Sequence, residues 1–292
     1  MKTKRNRIWI FLFILPTVVL FGVIFAYSLM NLVYTSFYDW AIGWDMVFIG
    51  FDNYRRLFQT RDFIAAINNT LIWVALQTTV HVFIGLVVAL ILFKRQFYWK
   101  FVRTAYMLPN IISSAALGML WMLLFNAHFG GVNNLIRLLG FEDFNHNWFM
   151  HHSTAFWAVS MIWLPYAAVV TILILSEITA IDESIFEAAK IDGASDFKLN
   201  VYILVPLLRN ILATCMILAA TSTLQRMDII FMTTRGGPGN RTLNMAFYVY
   251  RTAMVDNNFG LANAAGTLMV LFGSLLIGLI FWLFKMGKSQ TN

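Results

Sequence analysis

Charge is what the sequence has least of. Asp, Glu, Lys and Arg together make up 12% of the 292 residues, about half of the roughly 25% carried by soluble domains. Hydrophobic residues account for 60%, and mean hydropathy is +0.70. A water-soluble fold cannot hide that much apolar surface, so one helical membrane domain is the economical reading. Cysteine is nearly absent as well. Cys215 stands alone in an apolar stretch, which excludes an intramolecular disulfide and a cysteine metal cluster and leaves it a packing role. Carboxylates are missing from the middle of every apolar stretch, where no His-x-x-Glu or paired-carboxylate set occurs. Ion-coupled carriers often need such groups, and a membrane hydrolase needs a converging nucleophile, base or metal set.

The charge that is present is basic: 21 Lys+Arg against 14 Asp+Glu, net +7. In so apolar a chain this reflects basic residues anchoring cytoplasmic helix ends, and no nucleic-acid partner is implied. A helix needs about 20 mostly apolar residues to cross the hydrocarbon layer. Six stretches meet or approach that: about 8–30, 69–93, 104–126, 153–176, 203–225 and 261–284. The expectation is an all-α integral membrane protein with six transmembrane helices over 8–284. The first run, Ile8–Met30, follows Lys2, Lys4, Arg5 and Arg7 like a secretory signal. It exceeds a signal core of about 7–15 residues and has no small-x-small cleavage site, so it reads as a retained span. Placing the segments 1–7 and 285–292 in the cytoplasm puts Lys94, Arg95, Lys100, Arg103, Lys190, Lys198, Arg209, Lys285 and Lys288 inside too, the orientation favoured by the positive-inside rule.

Outside, residues 31–68 are rich in aromatics such as Trp40, Trp44, Phe51, Tyr54 and Phe58, suited to helices at the membrane surface. Residues 127–152 hold His128, His146, His151 and His152, whose spacing fits no metal motif, so they read as solvated loop histidines and no metal site is expected. The longest inside segment defies the basic bias: the loop 177–202 carries Glu177, Asp182, Glu183, Glu187, Asp192 and Asp196. Ser184 and Glu187 have capping-box spacing, Ala188 and Ala189 favour helix, and Gly193 suits the left-handed position that ends one. Ser195 or Asp196 can cap a second short helix. Two short helices with a glycine elbow result, and small Ala188, Ala189 and Ala194 would let another protein approach the backbone closely.

The stretch Glu187-Ala188-Ala189, then Gly193, Ile203 and Pro206 resembles the cytoplasmic signature of permease subunits of binding-protein-dependent ATP-binding-cassette importers. That pattern is Glu-Ala-Ala, three residues, Gly, nine residues, Ile-x-Leu-Pro, and the one departure is Val205 in place of Leu. A second stretch, Asp228-Ile229-Ile230-Phe231-Met232-Thr233-Thr234-Arg235-Gly236-Gly237-Pro238, is similar to the segment after the fifth span in the maltose and multiple-sugar branch. Phe51-Asp52-Asn53-Tyr54, Asn69-Thr70 and Phe259-Gly260-Leu261-Ala262-Asn263-Ala264 also resemble that branch.

The resemblance implies the type I importer permease fold, with residues 177–202 as cytoplasmic coupling loop. Glu187, Ala188, Ala189, Asp192, Gly193, Ala194 and Pro206 would contact the ATPase. It implies a second homologous permease, two ATPase subunits and an extracellular solute-binding protein, all with membrane lipid. ATP and Mg would sit on the ATPase and no cofactor on this chain. Gly287-Lys288-Ser289 imitates the end of a phosphate-binding loop, but Trp282 stands where its first glycine belongs.

For the solute path the spans offer uncharged hydrogen-bonding groups beside Trp121, Trp163 and Tyr166, which suits a neutral polyol. Gln77, Tyr166, Ser222, Thr223, Gln225 and Arg226 are the candidate contacts. Interhelical hydrogen bonding is the plainer role for any one of them, as it is for His81. The function expected is a transporter subunit for sugar uptake, with a non-sugar solute or an ion-coupled secondary carrier as alternatives.

Overall fold

The computed structural model describes residues 2–94, 97 and 99–284, with side-chain surroundings from residue 9 onward. Arg95, the segment 285–292 with Lys285 and Lys288, and the Gly287-Lys288-Ser289 tripeptide lie outside the described residues, as do the side chains of residues 1–7. The described residues form two compact units. One is the chain up to Thr60 with Val249–Val270; the other is Arg61–Tyr248 with the chain from Leu271 on.

In the first unit, α1 (Lys2–Phe21), a π-helical turn Gly22–Ala26 and α2 (Tyr27–Thr35) make one helical run. Its apolar window is wholly uncovered by the rest of the chain, the condition of a helix whose neighbours are lipid rather than water. Beyond Thr35 the chain forms a small antiparallel pair, β1 (Tyr38–Asp39) and β2 (Val47–Phe48), with Tyr38 opposite Phe48. Among the described residues this is the one departure from an all-α expectation. Then α3 (Asp52–Gln59) presents buried Asn53, whose Nδ2 donates to the Ser36 and Tyr38 carbonyls at 2.9 and 2.8 Å. The Phe-Asp-Asn-Tyr stretch is therefore a clamp on the hairpin. Another part of this unit is the start of the final helix. Its Phe259 and Gly260 N–H groups donate to the Trp40 carbonyl, and a Cβ at Gly260 would collide with the Tyr38 carbonyl.

The second unit begins with α4 (Arg61–Leu76), a π-helical turn Gln77–His81 and α5 (Val82–Phe93), a single run of 33 residues that starts at Arg61 rather than 69. Thr78 and Thr79 donate back to the Val74 and Ala75 carbonyls, compensating backbone groups that the widened turn displaces. Next come α6 (Trp99–Met107), a 3₁₀ turn Leu108–Asn110 and α7 (Ser114–Leu124), bent by 102°. The stretch 104–126 is thus broken, because Pro109 has no N–H to give and Ser113 starts a new helix by accepting from the Ala116 N–H.

After α8 (Gly131–Leu138), the expected 153–176 is also divided, into α9 (Ala155–Met161) and α10 (Ala168–Ala180), around Pro165. The groups freed there find partners. His81 Nδ1–H donates to the Leu164 carbonyl at 2.9 Å, and Tyr106 Oη donates to the Pro165 carbonyl and accepts from the Ala167 N–H at 2.8 and 2.9 Å. Irregular backbone is tolerated at membrane depth only on those terms.

The chain continues through α11 (Glu183–Ile191), α12 (Asp196–Lys198), a π-helical turn Leu199–Leu204, α13 (Val205–Leu207), α14 (Arg209–Gln225), α15 (Asp228–Met232), α16 (Met245–Met254) and α17 (Phe259–Phe284). The core joins Val82 and Ala89 of α5 to Val170, Ile174 and Ile178 of α10 and to Leu212, Cys215 and Ala219 of α14. Gly85 sits so close to Val170 that a Cβ would lie 2.5 Å from its Cγ1, the close approach that small residues permit between membrane helices. Among the described residues four helices are long and apolar enough to cross a membrane: Trp9–Thr35, Arg61–Phe93, Arg209–Met232 and Phe259–Phe284. The bent α6–α7 pair makes a fifth crossing if it counts as one, and α10 is shorter.

Candidate functional site

Two places carry the residues singled out by sequence. The first is the elbow α11–α12. Its helix starts at Asp182, whose Oδ1 accepts from the Ser184 N–H at 2.9 Å. The expected Ser184–Glu187 capping box is not formed, because Asp182 supplies the cap two residues earlier and leaves Ser184 inside the first turn. That hydrogen bond holds the Asp182 carboxyl below the usual carboxylate range. The helix ends as the glycine predicted. Gly193 has φ +77°, its N–H donates to the Lys190 carbonyl, and the Ala194 N–H donates to the Ala189 carbonyl at 2.9 Å. These are the paired bonds of a Schellman end. Ser195 Oγ then caps α12 by accepting from the Lys198 N–H.

Glu187, Ala188, Asp192, Gly193 and Pro206 are exposed and Ala194 is half-buried. Ala189, expected on the outer face, is 6% exposed and points inward, because it lies a quarter turn from Ala188 on the helix. Two contacts tie the elbow to α5. The Phe186 and Phe93 rings lie 5.7 Å apart, and Lys94 Nζ donates to Asp196 Oδ2 at 2.8 Å. The Lys94 ammonium, with help from Lys190, holds the Asp196 carboxyl below the usual range.

The second place is a cavity of about 360 Å³ assembled from α7, α10, α14 and α15, the turns at His81 and Asn110, the break around Pro165 and the break at Arg226. Its polar lining is His81, Asn110, Ser114, Tyr166, Ser222 and Arg226, and its apolar walls include Leu117, Ile162, Trp163, Val169, Leu218 and Ile229. Arg226 occupies the extended break between α14 and α15. Its carbonyl accepts from Asn244 Nδ2 at 2.6 Å, and its guanidinium lies 5.4 Å from the centre of the Trp163 ring.

Of the six residues expected here, Tyr166, Ser222 and Arg226 come together. Gln77 and Thr223 are buried and do not line the cavity, and Thr223 Oγ1 is occupied with the Ala219 carbonyl at 2.7 Å. Gln225 is exposed and does not line it. On a helix, residues 222 and 226 share a face whereas 223 and 225 do not, a distinction that a list of polar residues overlooks. His81, Asn110, Ser114 and Trp163 were absent from those six; for the last three, nearness to Pro109 and Pro165 was the available signal, since chain breaks at membrane depth border cavities.

The Gly236-Gly237-Pro238 segment is a tight turn near the cavity in sequence. Thr242 Oγ1 donates to the Gly237 carbonyl, so the 2.6 Å contact with Thr234 Oγ1 takes its proton from Thr234. Asn69 Nδ2 of α4 donates to the Asn240 and Leu243 carbonyls and holds the turn from outside. Among the loop histidines, His146 meets Thr154 and His152 accepts from Arg241.

A family model for the inner membrane component of binding-protein-dependent transport systems matches residues 81–286. The chain belongs to that family. It is a multi-pass membrane permease, a transport subunit and not an enzyme. The permease is 30% identical to the sulfoquinovosyl glycerol transport system permease of Agrobacterium fabrum, over 90% of this chain and 86% of that one. It is 29% identical to the lactose transport system permease of Rhizobium radiobacter, over 93% and 92% of the two chains. A chain of a bacterial alginate transporter, crystallised with its alginate pentasaccharide-bound periplasmic protein, superposes with TM-score 0.81 over 97% of this permease and 96% of that chain, at 21% identity. That last likeness is one of fold.

Proposed function

We propose that this permease forms half of the translocation pathway of an ATP-driven saccharide importer, with both termini in the cytoplasm, and that its elbow docks on a separate ATPase. The observation that carries the coupling role is the exposed α11–α12 elbow itself. Its backbone is fixed by Asp182, Gly193 and Ser195, and its exposed surface combines the carboxylates Glu187 and Asp192, the small Ala188 and the apolar Ile191 and Phe197. Small side chains let a groove on the ATPase approach the helix, and carboxylates give basic residues there a charged partner.

ATP with Mg acts on that ATPase, one of a pair, while a second permease supplies the facing half of the path and an extracellular binding protein delivers the solute. Closure of the ATPase pair would push the elbow. Phe186 against Phe93 and Asp196 on Lys94 would pass the displacement to α5, and the close packing of Gly85 on Val170 would carry α10 with it. Saccharide as the solute class is supported by the relatives, named for sulfoquinovosyl glycerol and lactose transport, and by a cavity that offers amide and hydroxyl partners beside Trp163.

The test is co-purification from membranes followed by uptake. The tagged permease should bring down an ATPase, and uptake in proteoliposomes should need ATP. Uptake by the permease alone, driven by an ion gradient, would overturn the proposal in favour of a secondary carrier.

A further inference from the structure

The cavity is lined by no Asp or Glu, yet Arg226 stands in it. Among the described residues none accepts a hydrogen bond from its guanidinium. The nearest carboxylate along the chain, Asp228, acts on the guanidinium through space but forms no hydrogen bond with it, does not line the cavity and turns Oδ1 to the Ile229 N–H. Even half-burying a cation costs some of its hydration unless something offsets the loss. The face of Trp163 offsets part of that cost. It leaves unused the planar fork of N–H donors, whose geometry matches the paired oxygens of a carboxylate, sulfonate or phosphate.

The arginine is also held in place, since the Asn244 amide grips its carbonyl at the break between α14 and α15. Around it, Asn110, Ser114 and Tyr166 supply amide and hydroxyl groups that sugar hydroxyls need, and Ser222 Oγ, whose proton goes to the Ala219 carbonyl at 3.0 Å, is left to accept.

From this juxtaposition we infer that the solute is an anionic saccharide, its acidic group received by Arg226 and its hydroxyls by the neutral polar lining. This rests on the importer reading and narrows it, replacing the neutral polyol that the uncharged span residues suggested. A neutral sugar in this cavity would leave the half-buried guanidinium without a hydrogen-bonding anion, whereas an acidic one supplies that partner.

The experiment is equilibrium binding to the assembled transporter in nanodiscs, read by tryptophan fluorescence. The ligands are matched pairs: glucuronate and glucose, sulfoquinovose and glucose, glucose 6-phosphate and glucose, digalacturonate and its neutral galactose disaccharide. At least one acidic member should bind about tenfold or more tighter than its neutral partner. Arg226→Gln should erase that preference, Arg226→Lys should keep part of it, and added salt should weaken only the acidic ligand. The salt dependence of the wild type decides the matter even if Arg226→Gln fails to assemble. Neutral members binding as tightly as acidic ones, no acidic member binding, or an unchanged preference in Arg226→Gln would overturn the inference. Absence of ATP-driven uptake for every solute would instead overturn the importer reading and leave the affinity comparison standing.

Discussion

In the elbow, backbone-fixing residues lie within one short stretch: Asp182 starts the first helix, Gly193 ends it and Ser195 starts the next. Around Arg226 the opposite holds. The cavity needs His81, Asn110, Trp163 and Ser222 from segments far apart in sequence, brought together where prolines interrupt two helical stretches. The elbow is shaped locally and presented outward. The cavity is shaped by packing, so damage to helices that never touch a solute should deform it. Substitutions should then separate along the same line, elbow changes altering coupling with little loss of stability and core changes altering stability first.

The largest effect expected is at the elbow's exposed face. Ala188→Arg puts a bulky cation where the proposed docking groove would fit, and ATP-driven uptake should fall by about a hundredfold, the scale of an interface hot spot. The melting temperature should stay put, because the side chain meets solvent in the free chain. A melting loss at this position would erase the contrast between the two regions.

Next in size is Gly85→Val, which drives methyl groups into Val170 and Ala167 and should cost about 1–3 kcal/mol of stability, measured by thermal unfolding in detergent. Tyr106→Phe should follow at about 1–3 kcal/mol, since the Pro165 carbonyl and Ala167 N–H lose their partner. The Lys94–Asp196 pair is exposed, so breaking it should barely move the melting point. Its pH dependence has a defined sign. The Asp196 carboxyl is lowered in the folded chain, so its contribution is present above the ordinary carboxylate pKa of about 4 and is lost as pH falls through the folded value. The measurement is the pH at which Asp196→Asn and the native chain become equally stable. Smallest of all is Thr223→Ala, which should leave uptake and solute range unchanged because that hydroxyl is turned back on its own helix.

The same contrast explains what could be read from residue order. Glycine and cap residues act over four or five positions, so the elbow was legible down to the Gly193 turn and the Ser195 cap. Two details escaped: the first cap is Asp182 where Ser184 was expected, and Ala189 faces inward rather than outward. Helix existence was legible from apolar runs, whereas the interruptions were not: Pro109 and Pro165 sit in stretches whose hydropathy stays high across the break. Which residues line a cavity depends on the helical angle of each and on packing of distant segments. Hence Ser222 and Arg226 were found while neighbouring Thr223 and Gln225 were included by proximity alone, and His81 was recognised as polar without its place beside Arg226.

Everything proposed for the elbow depends on its lying in the cytoplasm and docking on an ATPase. Ala188→Cys, in a chain whose own Cys215 is fully buried, provides the direct measurement through thiol crosslinking in membranes. A crosslink to the ATPase subunit, together with protection from a membrane-impermeant thiol reagent applied to intact cells, is the result predicted here. Labelling of position 188 from outside the cell, with no ATPase captured, would contradict it.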